Sequence, residues 1–345
     1  MSKFYTSVVC LGNYIFERGI ENGFPFDDKH EFKPTLYIPT TTKTDWRTLE
    51  DEPVGPVQWG TIKETREAMK KYEGVQNMQI YGHTNYNYSY IAETYPNQVD
   101  YNFEHLKIMF LDIEVGSEHG FPNPESAQEE VTAITVKIGD DIQVWGCSEF
   151  KNGQENITYN KCGDERQLLE QFVMYWQQNY PHVITGWNTK TFDTPYLVNR
   201  IRNILSEKWV KKLSPWGFVK EQKIFGMGGR EVQTYEIYGV SEIDYMDAYK
   251  KFTYTNQESY RLDHIAYVEL GETKLDYSEV NTLHELYRTD YQKFIEYNIQ
   301  DVMLVSRLEK KMKLLEMIIS LAYLSKCNYT DVFAQTRMWD CIIYN

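Results

Sequence analysis

The chain has 345 residues, enough for roughly two domains with cores of their own. Its hydrophobic and charged shares, 42% and 25%, are those of an ordinary globular protein. A net charge of −14 excludes a passive nucleic-acid coat, which would be basic, but not a site whose positive charge is brought by metal ions.

Aromatic residues make up 15%, with 28 Tyr. Tyrosine suits stacking on bases, yet most tyrosines line cores with a wet hydroxyl. The five cysteines (Cys10, Cys147, Cys162, Cys327 and Cys341) are scattered, odd in number and lack CxxC spacing, which predicts a reducing compartment and no zinc site. The start, "MSKFYTSVVC", is too polar for a signal peptide. The longest apolar stretch, around "MIISLAYL" (317–324), is too short to span a membrane. A soluble cytoplasmic protein is expected.

In chain order, "SVVCLGNYIFERGI" (7–20) alternates around Gly12-Asn13 and predicts a hairpin, and "TLYIPT" a further strand. "TIKETREAMKKY" (61–72) opens with a capping-box pattern, Thr61 to Glu64, and predicts a short helix. The Tyr- and Asn-rich stretch 81–102 reads as a return to strand. Residues 1–106 are thus expected to form a small α+β domain without a catalytic pattern.

From 107 the texture changes. "KIMFLDIEVG" reads as a buried strand, and "VTAITVKIGDDIQVWG" (131–146) as a hairpin turning at Gly139-Asp140-Asp141. "DERQLLEQFVMYWQQNYP" (164–181) is an amphipathic helix with Leu168, Leu169, Phe172, Val173 and Trp176 on one face. "HVITGWN" is a buried strand, 194–205 a helix with Pro195 in its first turn, "GVSEIDY" a fifth strand, and a long helix runs from about 287 past 308. This β-β-β-α-β-α-β-α order is the ribonuclease H-like plan, so the fold class expected is α/β (α+β), with a mixed five-stranded sheet. "KIFGMGGREVQTYEIYG" (223–239) reads as a glycine-tipped hairpin; "GMGGR" lacks the spacing and following helix of a phosphate loop. The stretch "MWDCIIYN" ends the sequence inside an apolar helical pattern with Ile342 and Ile343 unpartnered, which predicts a partner.

Two carboxylates, Asp112 and Glu114, interrupt the apolar strand "IMFLDIEVG". Two apart on a strand, they share a face. Like charges side by side repel unless a cation sits between them, and Mg²⁺ or Mn²⁺ prefers oxygen ligands. On its own, D-x-E is more often a solvated strand end. Two later stretches change that balance. Asp193, in "GWNTKTFDTPY" (186–196), falls between a buried strand and a helix, with Asn188 at the strand end; its plain role is helix capping, which leaves the other oxygen for metal. Tyr297 and Asp301, in "FIEYNIQDVMLVSRL" (294–308), are four apart on one helix face.

D-x-E, N-x3-F-D and Y-x3-D, in this order and on these element types, resemble the DEDD exonuclease superfamily in its tyrosine variant. Glu296 stands where the histidine variant would keep its His. The stretches 243–266, "GETKLDY" (271–277), "TRMWDCIIYN" (336–345), "FYTSVV" and "YIAETY" (90–95) are similar to family B DNA polymerases of the T-even bacteriophage group, over nearly the whole chain. The resemblance implies an N-terminal domain, 1–106, completed by 314–345, and a 3′–5′ exonuclease domain at 107–313. The palm signatures D-x-x-S-L-Y-P-S and D-T-D do not occur in the sequence.

It further implies proofreading by two Mg²⁺ ions, for which Mn²⁺ would substitute. Asp112 would bridge both ions, Glu114 and Asp301 would bind the nucleophile-side ion, Asp193 would serve the second, and Tyr297 would position the water. Asn188 and Phe192 would hold a frayed DNA 3′ end, Phe121 its terminal bases, and Lys274 would lie near the scissile phosphate. The hairpin at 223–239 would help part primer from template. The expected partners are primer–template DNA and a second polypeptide with palm, fingers and thumb, in the cytoplasm of an infected bacterium. Two other functions compete: a catalytically silent nucleic-acid-binding or assembly module, which would have no physical reason to keep clustered charge, and an RNA-trimming relative.

Overall fold

The computed structural model describes residues 2–75, 78–117, 120–225, 229, 231–275 and 283–344, so most of the "GMGGR" hairpin tip lies outside the described residues. The chain divides into two units, Met1–Asn102 with Ile318–Asn345, and Phe103–Met317.

In the first unit, β1 (Lys3–Leu11), β2 (Tyr14–Glu21) and β3 (Phe24–Glu31) form an antiparallel meander. Its first turn falls at Gly12-Asn13, as the sequence predicts, and its second at Asn22-Gly23, where both residues take positive φ. β4 (Leu36–Pro39) pairs with β5 (Val54–Val57). α1 (Ile62–Tyr72) carries both halves of the Thr61–Glu64 capping box.

The stretch read as a strand is instead a helix, α2 (Tyr86–Thr94). Asn85 caps it by accepting the Asn87 amide, and Tyr86, Tyr88, Tyr90 and Ile91 are buried. Packing overrides the weak helix propensity of Tyr and Asn here. The buried Glu17 of β2 accepts the hydroxyls of Tyr90 and Tyr95, which fixes α2 against the meander.

The second unit is built on a six-stranded sheet, one strand more than expected. β6 (Ile108–Val115), β7 (Val131–Ile138) and β8 (Asp141–Gly146) are antiparallel neighbours. The additional strand is β9 (Ile157–Lys161), parallel to β8 at the edge; five residues of mixed polarity on an edge leave little periodicity to read. α3 (Glu165–Gln178) leads to β10 (Val183–Thr185), and α4 (Asp193–Ile204) and α5 (Glu207–Lys211) follow. β11 (Val219–Phe225) and β12 (Glu231–Ile237) form a separate hairpin over the predicted segment. The fifth strand shrinks to β13 (Ser241–Glu242), giving the order β13-β10-β6-β7-β8-β9. α6 (Tyr245–Phe252), α7 (Leu262–Leu270) and α8 (Leu283–Thr289) precede the long helix α9 (Tyr291–Met312), which starts at the Asp290 cap rather than at 287.

The two faces of the sheet are packed differently. Met109, Leu111 and Ile113 of β6 join Ile134 and Val136 of β7 in a core with α3 and α4. Ala133 and Val144 pack with Phe294, Ile295 and Ile299 of α9 in the other. The even-numbered residues Asp112 and Glu114 therefore lie on the α9 face, as strand alternation requires. α10 (Leu314–Ser325) and α11 (Gln335–Tyr344) return the chain to the first unit, where Asn328 exchanges two 2.9 Å bonds with the Val8 backbone.

Gly186 sits where β10 stops beside β6. A Cβ there would collide with the Leu111 carbonyl oxygen and the Thr189 side chain. Gly186→Ala should cost about 1–3 kcal/mol of stability, as overpacking does. A urea unfolding curve with an unchanged midpoint would contradict this close approach.

Candidate metal centre

Pairing of β10 with β6 ends at Thr185↔Phe110, so β6 runs on past its parallel neighbour with Asp112 and Glu114, and Asp112 lines a cleft. α9 crosses above and contributes Asp301. One oxygen each from Asp112, Glu114 and Asp301 lies within 4.8 Å of the others.

Asp193 does not join this set of three. Its α4 begins at Asp193 itself, with Phe192 at the cap position, and its Oδ1 accepts the Ile113 amide at 3.1 Å. That amide lies beyond the last β6–β10 pair, so Asp193 continues the ladder where β10 has ended. It still lies close enough to the trio to disfavour charge on Asp112 and Glu114.

The electrostatics are those of crowded acids. Burial, then Asp301, Asp193 and Glu114, push the Asp112 carboxyl up. Glu114 is pushed up to about 8 by burial and by Asp301. Asp193 also rises to about 8, through burial, against the opposing Ile113 bond. Asp301 is raised by burial in spite of Lys274.

Two side-chain donors limit the cost, beside the Ile113 amide on Asp193. Asn298 Nδ2 donates to Asp112 Oδ2 at 2.6 Å, and its own Oδ1 accepts the Thr135 hydroxyl from β7. Lys274 Nζ donates to Asp301 Oδ2 and, at 3.0 Å, to the Tyr297 hydroxyl. Burial opposes the Lys274 charge, but Asp301 and Tyr297 outweigh it and keep the ammonium protonated. The lysine is held in turn: Asp263 accepts its backbone amide at 2.9 Å, and Gln300 binds the Thr273 carbonyl. Tyr297 itself is pushed above its ordinary value by burial and by Asp301, so it keeps its proton.

Asp301 Oδ1 is buried and has no hydrogen-bond partner among the described residues. A stranded acceptor beside two further carboxylates, all of them oxygen donors, fits a hard divalent cation. Asp112, Glu114 and Asp301 are the residues that could hold it, with Asp193 adjacent.

The cleft, about 850 Å³, is lined by Asp112, Tyr297, Asp301 and Lys274, and also by Phe121, Asn188, Trp187 and Arg261. Phe121 is 87% exposed, and its ring lies 5.5 Å from that of Phe192. Asn188 takes a left-handed φ of 68°, which Asn tolerates better than most residues. Its amide and that of Lys190 are bound by Asp244. Asn298, Asp263, Gln300 and Asp244 are missed by sequence reasoning. Only Asn298 leaves a readable sign, three residues before Asp301 and thus on its helix face.

A family profile, the exonuclease domain of DNA polymerase family B, matches residues 43–265. The DNA-directed DNA polymerases of Escherichia phage RB69 and Enterobacteria phage T4 are each 31% identical over the whole chain, which covers 41% of their own length. The DNA polymerase delta catalytic subunit of Caenorhabditis elegans is 28% identical over 60% of this chain and 20% of its own. The chain thus spans less than half the length of these relatives. The profile covers Asp112, Glu114 and Asp193 but stops before Lys274, Tyr297 and Asp301, which the two phage alignments include.

Removing like charges from a crowded site should not weaken the fold. In metal-free buffer at neutral pH, Asp112→Ala with Glu114→Ala should melt at or above the parent temperature. Millimolar Mg²⁺ or Mn²⁺ should raise the parent melting temperature by several degrees and leave the double variant unmoved. Equal shifts in both proteins would mean that the cation binds elsewhere.

Proposed function

The chain belongs to DNA polymerase family B through that family's exonuclease domain, and from this premise we propose that it is a DEDD-type 3′–5′ exodeoxyribonuclease of the tyrosine variant, removing nucleotides from single-stranded or frayed DNA ends. The observation that carries the reading is the convergence of Asp112, Glu114 and Asp301 within 4.8 Å of one another, beside a cleft that Asp112 and Asp301 line.

A pair of Mg²⁺ ions at these acids, replaceable by Mn²⁺, would supply the charge that activates water and stabilises the departing 3′ oxygen. Asp112, which feels the charges of Asp301, Asp193 and Glu114 alike, would hold the cations together with Glu114 and Asp301. Asp193, its Oδ1 committed to the Ile113 amide, contributes through its second oxygen. Tyr297 would orient the attacking water with its hydroxyl, since a tyrosine whose pKa is raised by burial is a poor general base. Lys274 ties Tyr297 to Asp301, keeps the latter's charge compensated, and offers its ammonium to the scissile phosphate. Phe121 and Phe192 give the last bases a stacking surface, and Asn188 binds the frayed strand.

Selectivity would follow from the cost of opening a paired end. A paired end must first open, at about 1.4 kcal/mol per base-pair step. A mismatched end opens more cheaply and is removed first, which is proofreading. Unit Phe103–Met317 carries this activity in our reading. Palm, fingers and thumb come from the remainder of a phage replicative polymerase, as a second polypeptide or as further chain, acting in the cytoplasm of the infected bacterium.

A 5′-labelled DNA strand incubated with the chain and Mg²⁺ should shorten stepwise from its 3′ end and release mononucleotides, while a matched RNA strand should persist. Binding without shortening would favour a silent module, and preferential loss of the RNA an RNA-trimming enzyme. Asp112→Ala with Glu114→Ala should abolish cleavage. Tyr297→Phe should lower kcat about 10–100-fold with KM little changed, as loss of an orienting contact does; unchanged turnover would reject the water-positioning role.

A further inference from the structure

The start of α7 breaks a local rule inside the cleft. Arg261 occupies the cap position with extended backbone, φ −70° and ψ 143°, and its side chain caps nothing. Ser, Thr, Asp or Asn there would accept an amide of the first turn. A guanidinium can only donate, and it adds positive charge to the positive end of the helix dipole. Helix energetics alone therefore disfavour this residue at this place. Where a chain breaks such a rule without local gain, function is the expected compensation.

The backbone around Arg261 is tied on both sides. Trp187 Nε1 donates to the Tyr260 carbonyl at 3.0 Å, and Leu262 is buried. Asp263 accepts the Lys274 amide at 2.9 Å, which joins this turn to the lysine that holds Asp301 and Tyr297. Arg261 itself is exposed and lines the cleft together with Asp112 and Asp301. Among the described lining residues, Lys274 and Arg261 are the cationic ones. Asp301 already engages Lys274, whereas the Arg261 guanidinium has no hydrogen bond or ion pair among the described residues. A fixed backbone thus presents an uncommitted, permanently charged fork to the cleft.

We propose that Arg261 is a substrate-positioning residue that binds an internal phosphate of the DNA strand whose 3′ end lies at the acids, and so sets the affinity of the site for single strands. A planar guanidinium matches the two non-bridging oxygens of a phosphodiester, which a lysine meets only as a point charge. The contact is to the strand's backbone and is therefore indifferent to base sequence. The two cations divide the strand between them. Lys274, held beside Asp301, serves the bond to be cut, and Arg261 serves a linkage further from the end.

This inference rests on the exonuclease reading, and its test reads binding and cleavage separately. A 5′-fluorescein-labelled single strand whose last linkage is a phosphorothioate is titrated in Mg²⁺ with the parent chain, Arg261→Ser and Arg261→Lys, at about 50–200 mM KCl. Arg261→Ser should raise Kd about 5–10-fold, as loss of a charged hydrogen-bonded contact does. Its plot of log Kd against log salt should be shallower by about 0.7, the share of one phosphate contact on a single strand. Serine restores a cap, so this variant should melt at or above the parent temperature. Arg261→Lys should keep the parent salt slope and lose only about 2–3-fold in affinity. On an unmodified strand, Arg261→Ser should show its loss in KM, with kcat within about twofold. An unchanged Kd and slope in Arg261→Ser, or a lowered melting temperature accompanying its loss of affinity, would overturn the proposal. Failure of the parent to shorten the unmodified strand, with Arg261-dependent binding intact, would overturn the exonuclease reading alone.

Discussion

Three carboxylates within 4.8 Å of one another, in partly buried surroundings, form the arrangement on which the second unit turns. Burial and mutual repulsion both oppose it, and either can cost several kcal/mol when uncompensated. The fold meets that cost with donors rather than distance: Asn298 on Asp112, Lys274 on Asp301, and the Ile113 amide on Asp193. These donors come from a helix, a loop and a strand, so the acids stay together only while all three elements keep their places. Function and stability pull against each other here, as they commonly do where charge is gathered for chemistry.

The sheet explains why the site lies where it does. β6 has a parallel neighbour on one side and an antiparallel one on the other. Beyond Thr185 the parallel neighbour is gone, and the exposed edge of β6 must be satisfied by something else. Asp193 supplies the acceptor, and the opening left by the ended strand becomes the cleft. Gly186 lets the chain leave β10 hard against the Leu111 carbonyl, which brings α4 near enough for Asp193 to reach Ile113. Open α/β sheets place their ligand sites at the carboxyl ends of strands for this same topological reason.

Much of this was legible in the sequence. Strand alternation put Asp112 and Glu114 on one face, and helical spacing put Tyr297 beside Asp301, because both inferences rest on fixed local periods. Neither period reports what lies across space. The Asn298 bond to Asp112 joins residues 186 apart, and Lys274 reaches its partners from a loop with no repeat to read. Asp193 shows the limit most clearly: its neighbours in sequence suggested a helix cap, whereas its bond partner, Ile113, is 80 residues away. The α2 helix failed for the converse reason, since Tyr and Asn favour helix weakly and only burial of Tyr86, Tyr88 and Tyr90 decides the matter.

An acidic chain with an acidic cleft repels a phosphodiester, so the site cannot hold its proposed substrate on charge alone. Lys274 is the ammonium within bonding distance of the trio, and Asp301 already engages it. On the proposed reading, bound cations would add positive charge to that of Lys274 and Arg261, so that occupancy of the acids and binding of the strand would be coupled. Crowded carboxylates are, on this view, both the means of holding metal and the reason that cleavage is conditional on it.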